Sequence, residues 1–115
     1  MSQIRKGDIY WADLNPAIGS EISKTRPVLV VSNDINNQYA ATVTILPITS
    51  STDKIYPFEV LLPKGEANLT NASKAKANQI RTIDKQRLRN KIGKISKTKL
   101  TEVEQAILIH LEISF

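Results

Sequence analysis

The feature that most constrains this chain is an Arg-Pro pair between a glycine-led polar loop and an unbroken apolar run. The loop begins at Gly19, the pair is Arg26-Pro27, and the run that follows covers residues 28–32, which are apolar as far as Val31. Proline has a fixed φ and no backbone N–H, so it suits the first residue of a strand. The residue before a proline is forced into an extended conformation. The pattern therefore predicts that Arg26 is held where the loop becomes a strand.

A second strand-like run covers residues 42–49 and ends in a row of hydroxyl side chains, Thr49, Ser50 and Ser51. If the two strands are neighbours, Arg26 and Thr49 meet at one end of the sheet. A guanidinium and a hydroxyl that converge there would suit a phosphate group. Pro47 lies inside this run, and a proline there predicts an edge strand or a bulge.

The rest of the chain predicts a mostly β fold with appended α-helices, in a single domain covering residues 1–115. Further strands are predicted at 7–14, 57–62, 78–83 and 92–95, while alternation is weak through 72–77. A helical turn is predicted at 85–90. Ser96 can cap a final helix through Ile113, with apolar residues on one face at 100, 103, 107 and 111. Short strands and frequent turns predict a small antiparallel barrel with a C-terminal helix.

Positive charge is concentrated in one segment of the chain. The net charge is +5, and residues 74–99 contain ten Lys and Arg against one acid, Asp84. Such a segment suits an anionic partner, although a solvated lysine-rich face is an equally good interpretation. No apolar run approaches the length of a membrane span, and the first residues lack a signal core. We expect a soluble, cytoplasmic protein that makes no membrane contact.

The side chains available limit the chemistry. Cysteine is absent and the only histidine, His110, lies in the apolar final helix, so thiol catalysis and a two-histidine ribonuclease mechanism are excluded. No His, Asp and Glu cluster has metal-ligand spacing, so we expect neither a metal nor a cofactor. Arginine, hydroxyls and amides can still cleave RNA, because the substrate supplies its own nucleophile, the 2′-hydroxyl. Arg26 can bind the phosphate through two hydrogen bonds, and Thr49 and Ser50 can hold a non-bridging oxygen.

Several short motifs occur in one order along the chain. They are RKGDIYW at 5–11, GSE at 19–21, TRP at 25–27, SND at 32–34, PITS at 47–50, YPFEV at 56–60 and QIRTID at 79–84. Together they closely resemble the MazF/PemK/Kid family of toxin endoribonucleases. The resemblance implies an SH3-like barrel of the MazF/CcdB type and a homodimer. It also implies metal-independent, sequence-specific cleavage of single-stranded RNA to 2′,3′-cyclic phosphate and 5′-hydroxyl ends, and inhibition by an acidic MazE-like antitoxin.

By position, the resemblance implies catalytic roles for Arg26 and Thr49, and for Glu21 as a loop acid. Candidate RNA contacts are Ser50, Lys76, Asn78 and Gln79. Many family members carry Asp or Glu at the position of Asn78, and in some of them that acid is assigned as the base. An amide cannot accept a proton at neutral pH, so Asn78 is not expected to be the base. Arg26, tuned by Glu21, is the candidate in its place, and the sequence leaves the identity of the base open.

Trp11 and Tyr10 are expected in the core or at an interface rather than as platforms for RNA bases.

The alternative function is a non-catalytic gyrase poison resembling CcdB. That family acts through a C-terminal Trp-Gly-Ile, whereas this chain ends in Glu-Ile-Ser-Phe and keeps Arg26 and Thr49.

Overall fold

The computed structural model describes residues 3–114. Segments of alternating apolar residues, separated by turns, form the seven strands of one antiparallel sheet. The strands are β1 (Asp8–Asp13), β2 (Thr25–Val30), β3 (Thr42–Thr49), β4 (Glu59–Leu62), β5 (Ser73–Lys76), β6 (Arg81–Asp84) and β7 (Leu88–Lys94). Their order is β4-β5-β3-β2-β1-β7, and β6 also pairs with β3. The helices are α1 (Asp34–Tyr39) and α2 (Lys97–Leu111), with 3₁₀ turns at Glu66–Asn68, Ala77–Gln79 and Lys85–Arg87. The predicted mostly β fold with a C-terminal helix is confirmed.

Strand β3 has the predicted bounds but lies at the centre of the sheet, so the prediction of an edge strand or bulge at Pro47 was wrong. One side of β3 pairs with β2, while its other side pairs first with β6 and then with β5. The β6 ladder ends at Ile45 and the β5 ladder begins at Ile48. Pro47 falls in the gap between them, where a missing N–H breaks no ladder hydrogen bond.

The sheet is not closed, which corrects the expectation of a barrel. No ladder joins β4 to β7 in the part of the chain that the structure describes. The turn after β4 packs against β7 instead. Asn68 Nδ2 donates to the carbonyl oxygen of Ile92 at 3.1 Å, and the backbone N–H of Ser96 donates to Glu66 Oε2 at 2.8 Å. A Cβ added at Gly93 would lie 2.4 Å from the carbonyl oxygen of Ala67, so only glycine permits this close approach.

Alternation along the strands divides the core between the two faces of the sheet. One cluster contains Ile9, Leu29, Leu46 and Ile48 together with Val103 of α2. The other contains Tyr10, Ala12, Val28, Val30, Val43, Ile45 and Ile83. Helix α2 packs against the first face, and Ile22 of the loop before β2 packs against the second.

Helix α2 begins where the sequence predicted. Ser96 is the N-cap, and its Oγ accepts from the backbone N–H of Lys99 at 3.2 Å. Val103 is buried, and Leu100 and Ile107 pack against the same cluster. Leu111, predicted on this face, is 48% exposed, and the helix ends there rather than at Ile113.

Three local predictions differ from the structure. Strand β5 occupies part of 72–77, where alternation was too weak to predict one. The predicted strand at 78–83 begins only at Arg81, because residues 77–79 form a 3₁₀ turn. The predicted helical turn at 85–90 ends at Arg87, and β7 starts at the next residue. No helix among residues 3–114 is long and apolar enough to cross a membrane.

Candidate active site

Strands β2 and β3 are neighbours, and their register brings Arg26 and Thr49 to the same end of the sheet. Val28 pairs with Pro47 in the antiparallel ladder. Continued by two residues, the same register sets Arg26 opposite Thr49 and on one face of the sheet. Both residues line a single cleft. The sequence-based expectation that these two residues meet at a sheet end therefore agrees with the register.

The loop before β2 holds the Arg26 side chain by its Nε. The base of this loop is closed where Leu14 N–H donates to the Lys24 carbonyl at 3.0 Å. Lys24 N–H in turn donates to Asn15 Oδ1 at 3.0 Å. Arg26 Nε donates to the Ser23 carbonyl at 3.2 Å. The guanidinium is thus positioned by one bond at its inner nitrogen.

The outer part of the Arg26 guanidinium stays available to an anion. Within residues 3–114 Arg26 takes part in no ion pair, and its Nη1 and Nη2 have no hydrogen-bond acceptor. Thr49 Oγ1 accepts from Ser51 N–H at 3.3 Å, which leaves its hydroxyl hydrogen free to donate. A phosphate at this point would meet two parallel N–H donors and a hydroxyl.

A first cleft of about 280 Å³ opens beside this pair. Its lining includes Arg26, Thr49 and Ser50, together with Trp11 and residues 68–71 of the loop before β5. Trp11 is 42% exposed, so it does not lie in the core of this chain, and the interface position expected as the alternative stays a prediction. Tyr10, by contrast, is buried in the second core cluster, and burial together with the Asp8 carboxylate raises its pKa.

A second cleft of about 450 Å³ contains Glu21, Asn78 and Gln79. Glu21 Oε1 accepts from the backbone N–H of Ile18 at 2.7 Å, so this carboxylate orders its own loop. Gln79 Oε1 accepts from Ile22 N–H at 3.3 Å, and its Nε2 donates to the Ser20 carbonyl at 3.4 Å. Asn78 is exposed, and its amide forms no hydrogen bond with the described part of the chain. The structure therefore groups Glu21, Asn78 and Gln79 apart from the first cleft.

The two clefts flank the Arg26–Thr49 pair. Alternation along β3 puts Thr49 on the same face as Pro47, and Pro47 lines the second cleft. Arg26 and Thr49 themselves line the first cleft. A chain bound with its phosphate at Arg26 would thus have one cleft on each side.

Lys76, expected to contact RNA, lies outside both clefts and forms an ion pair instead. Its Nζ is 3.2 Å from Glu59 Oε2, and Lys74 Nζ is 2.9 Å from Glu59 Oε1. Burial would raise the pKa of Glu59. The Tyr56 N–H and the two ammonium groups outweigh that effect, so the pKa lies below its ordinary value. Two cations of the basic segment thus share one carboxylate, which offsets one of their two positive charges.

Sequence reasoning missed the contribution of the loop before β5. Asn68, Thr70 and Asn71 line the first cleft, although they belong to no recognised motif. The two asparagines within a polar stretch were the only signal in the sequence. Among residues 3–114, no group of three or more His, Asp or Glu side chains is arranged to hold a metal ion.

Comparison with known proteins identifies relatives over nearly the whole chain. The family model for the PemK-like, MazF-like toxin of type II toxin–antitoxin systems matches residues 5–111. Endoribonuclease MazF9 of Mycobacterium tuberculosis is 41% identical, over 96% of this chain and 98% of the relative. Endoribonuclease MazF of Staphylococcus epidermidis is 40% identical, over 96% and 93%.

Solved structures show the same fold. MazF from Deinococcus radiodurans superposes with a TM-score of 0.85 at 27% identity, over 98% of this chain and 100% of that one. A complex of MazE and MazF from the same organism gives a TM-score of 0.79 at 26% identity, over 99% and 100%. These matches support the resemblance that the motifs predicted. The chain belongs to the PemK/MazF family of toxins of type II toxin–antitoxin systems.

Proposed function

We propose that this protein is the toxin endoribonuclease of a toxin–antitoxin system and cleaves single-stranded RNA without a metal ion at the Arg26–Thr49 end of the sheet. Relatives at about 40% identity over nearly their whole length are endoribonucleases. The observation that carries the location is the guanidinium of Arg26, which is held by Nε and free at Nη1 and Nη2 opposite Thr49.

The reaction is a transesterification. The 2′-oxygen forms a bond to phosphorus while the bond from phosphorus to the 5′-oxygen breaks. One proton leaves the 2′-hydroxyl and one joins the departing 5′-oxygen, which gives 2′,3′-cyclic phosphate and 5′-hydroxyl ends. Arg26 stabilises the charge on the phosphorane oxygens, and Arg26 with Thr49 handles the proton transfers.

The surrounding residues position the RNA. Ser50 continues the hydroxyl row beyond Thr49 in the first cleft. Asn78 offers its amide in the second cleft. Gln79 lines the same cleft while its amide holds Ser20 and Ile22, and Glu21 orders the loop that carries Ser23. Lys76 stays a predicted backbone contact, although its pairing with Glu59 makes it the least available of these groups.

The partner is an acidic antitoxin. Solved MazE–MazF complexes have the fold of this chain, and the basic segment at 74–99 complements a negatively charged tail. A homodimer is part of the proposal, supported by exposed apolar residues at the end of α2 (Ile109, Leu111 and Ile113). A cytoplasmic location, where RNA is translated, completes it. No comparison favours the gyrase-poison alternative.

The test is the chemistry of the cut ends. Purified protein in EDTA should cut a long single-stranded RNA at a small set of related sites. The 5′ fragments should carry 2′,3′-cyclic phosphate, and the 3′ fragments should accept label from polynucleotide kinase without prior phosphatase treatment. Activity that EDTA abolishes, or fragments with 5′-phosphate ends, would contradict the proposal.

A further inference from the structure

We propose that the first cleft receives one nucleobase beside the scissile phosphate, with Trp11 as the stacking platform and Asn71 as the group that reads the base edge. This inference rests on the proposed function and adds to it the residues that select the sequence. Trp11 lies on β1 and is 42% exposed, so core packing does not explain a tryptophan at this position.

The position of Trp11 makes it a neighbour of the reacting phosphate. Trp11 pairs with Pro27 in the β1–β2 ladder, so alternation puts the indole and the Arg26 side chain on opposite faces of the sheet, at the end where β2 begins. Trp11, Arg26 and Thr49 line the same cleft. A nucleotide whose phosphate lies at Arg26 can therefore place its base around this end of the sheet, in the cleft that Trp11 lines.

The cleft has the size and the chemistry for a base. Its volume of about 280 Å³ is close to the lower limit of small-ligand pockets, roughly 300 Å³. An exposed indole provides a flat apolar surface on which any base can stack. The lining of the same cleft also contains polar side chains, among them Asn68, Thr70 and Asn71. Stacking combined with hydrogen bonds to the base edge is how proteins select bases of single-stranded RNA.

Among the polar groups, Asn71 is the best placed to read a base. The Asn68 amide nitrogen already donates to Ile92 O, which holds that side chain against β7. Asn71 uses its backbone carbonyl to accept from Ser73 Oγ at 2.9 Å. Its side-chain amide is exposed and has no partner in the part of the chain that the structure describes. A free amide offers one donor and one acceptor side by side, which a base edge can match.

The flanking arrangement separates this cleft from the second one. RNA that passes the Arg26–Thr49 pair places one base on each side of the phosphate. The first cleft would take one of them against Trp11, while Asn78 and Gln79 face the other. Substitutions in the first cleft should thus change the choice of base at one position only.

The test uses Trp11 as its own reporter, because it is the only tryptophan of the chain. The probe is an oligonucleotide copied from a wild-type cleavage site, with 2′-deoxyribose at the attacking nucleotide so that it cannot be cut. Binding should quench the tryptophan emission. Binding affinity is measured by the fluorescence anisotropy of a labelled probe. Trp11→Leu should weaken the affinity by about 10-fold, and Trp11→Phe should keep most of the wild-type affinity. Tyr39→Leu, which removes an exposed aromatic at the other end of β3, should bind like wild type.

Asn71→Ala supplies an independent readout. Sequencing of the cut ends from a random RNA pool should show relaxed base choice at one position and an unchanged pattern elsewhere. Binding of the probe without quenching, a Trp11→Leu variant that binds like wild type, or an unchanged Asn71→Ala pattern would overturn the inference while leaving the proposed function intact. Failure of the wild-type protein to cut any RNA would instead contradict the proposed function.

Discussion

Arg26 at the start of β2 and Thr49 at the end of β3 are each held by one hydrogen bond that leaves their outward donors unused. The Ser23 carbonyl holds Arg26 at Nε, while Ser51 N–H holds Thr49 at its oxygen. Each bond fixes an orientation and leaves the outward donors unused. Preorganised donors of this kind stabilise developing charge without reorganisation during the reaction.

Asn78 gives the sharpest prediction for a single residue. It is exposed in the second cleft, beside the pair rather than between Arg26 and Thr49. If its amide only positions RNA, Asn78→Asp should change single-turnover cleavage by less than about 10-fold, or about 1.4 kcal/mol in barrier height. A small decrease is expected, because a new anion repels the phosphate. Thr82→Asp, which adds the same charge at an exposed position of β6, controls for electrostatic repulsion alone. An increase of ~100-fold in Asn78→Asp would show that a carboxylate there is the missing base.

Part of the site could be predicted from the sequence, and the reason differs from residue to residue. The Arg-Pro pair restricts its own backbone, so the position of Arg26 at a strand start follows from local sterics. The exposure of Trp11 does not follow, since an aromatic in a strand pattern is usually buried. Trp11 lines a cleft together with residues 68–71, and that loop is too distant in sequence for the strand pattern around Trp11 to predict the cleft.

At the scale of elements, the contact between the turn after β4 and strand β7 holds the first cleft together. Gly93→Ala should destabilise the protein by about 1–3 kcal/mol, because the added Cβ overlaps the Ala67 carbonyl and backbone must move. Asn90→Ala, at an exposed position of the same strand, should change the free energy of unfolding by less than about 0.5 kcal/mol. Urea denaturation of both variants measures the difference, and equal midpoints would contradict the described contact.

The ladder between β4 and β5 predicts a specific acid sensitivity. The pKa of Glu59 lies below its ordinary value of 4.5 in the folded protein. Its ionised form therefore contributes stability that is present above that value and is lost as the pH falls through the folded pKa. Glu59→Gln should cost about 3 kcal/mol at pH 7, because it leaves the buried Lys74 without a counter-charge.

The same variant should lose less stability than wild type between pH 6 and about pH 3, because it lacks the group that titrates. Urea midpoints at both pH values measure this. Glu102→Gln removes a carboxylate that is 47% exposed on α2, and serves as the control. A stability difference between wild type and Glu59→Gln that stays constant across this range would contradict the account.

At the scale of elements the sequence predicted helix α2 well and strand β5 poorly. The α2 signal is local, since Ser96 caps it and apolar residues recur with helical spacing. In β5 the inward residues include Lys74, which reads as polar in the sequence. It is buried only because Glu59 on the neighbouring strand neutralises it, and pairing across strands is not visible in one segment.

For the whole molecule, the proposed binding of RNA on both sides of one phosphate depends on the open sheet and its two clefts. The order of strands, with β3 at the centre, brings the ends of β2 and β3 together. A closed barrel was expected from the short strands and frequent turns, but the sheet is open, and the turn after β4 contacts β7 at Gly93 where a ladder would have closed it. The charge concentrated in 74–99 was visible in the sequence, whereas its partial neutralisation by Glu59 was not.

The measurement that tests the central claim most directly is single-turnover RNA cleavage in EDTA by wild type, Arg26→Ala and Arg5→Ala. Arg5 pairs with Asp34 at the opposite end of the sheet, which makes it a matched loss of one arginine. We predict that Arg26→Ala lowers the rate by at least ~100-fold, with unchanged urea midpoint, while Arg5→Ala cleaves within about 3-fold of wild type. An Arg26→Ala protein with full activity, or equal losses in both variants, would contradict the assignment of the reaction to the Arg26–Thr49 end of the sheet.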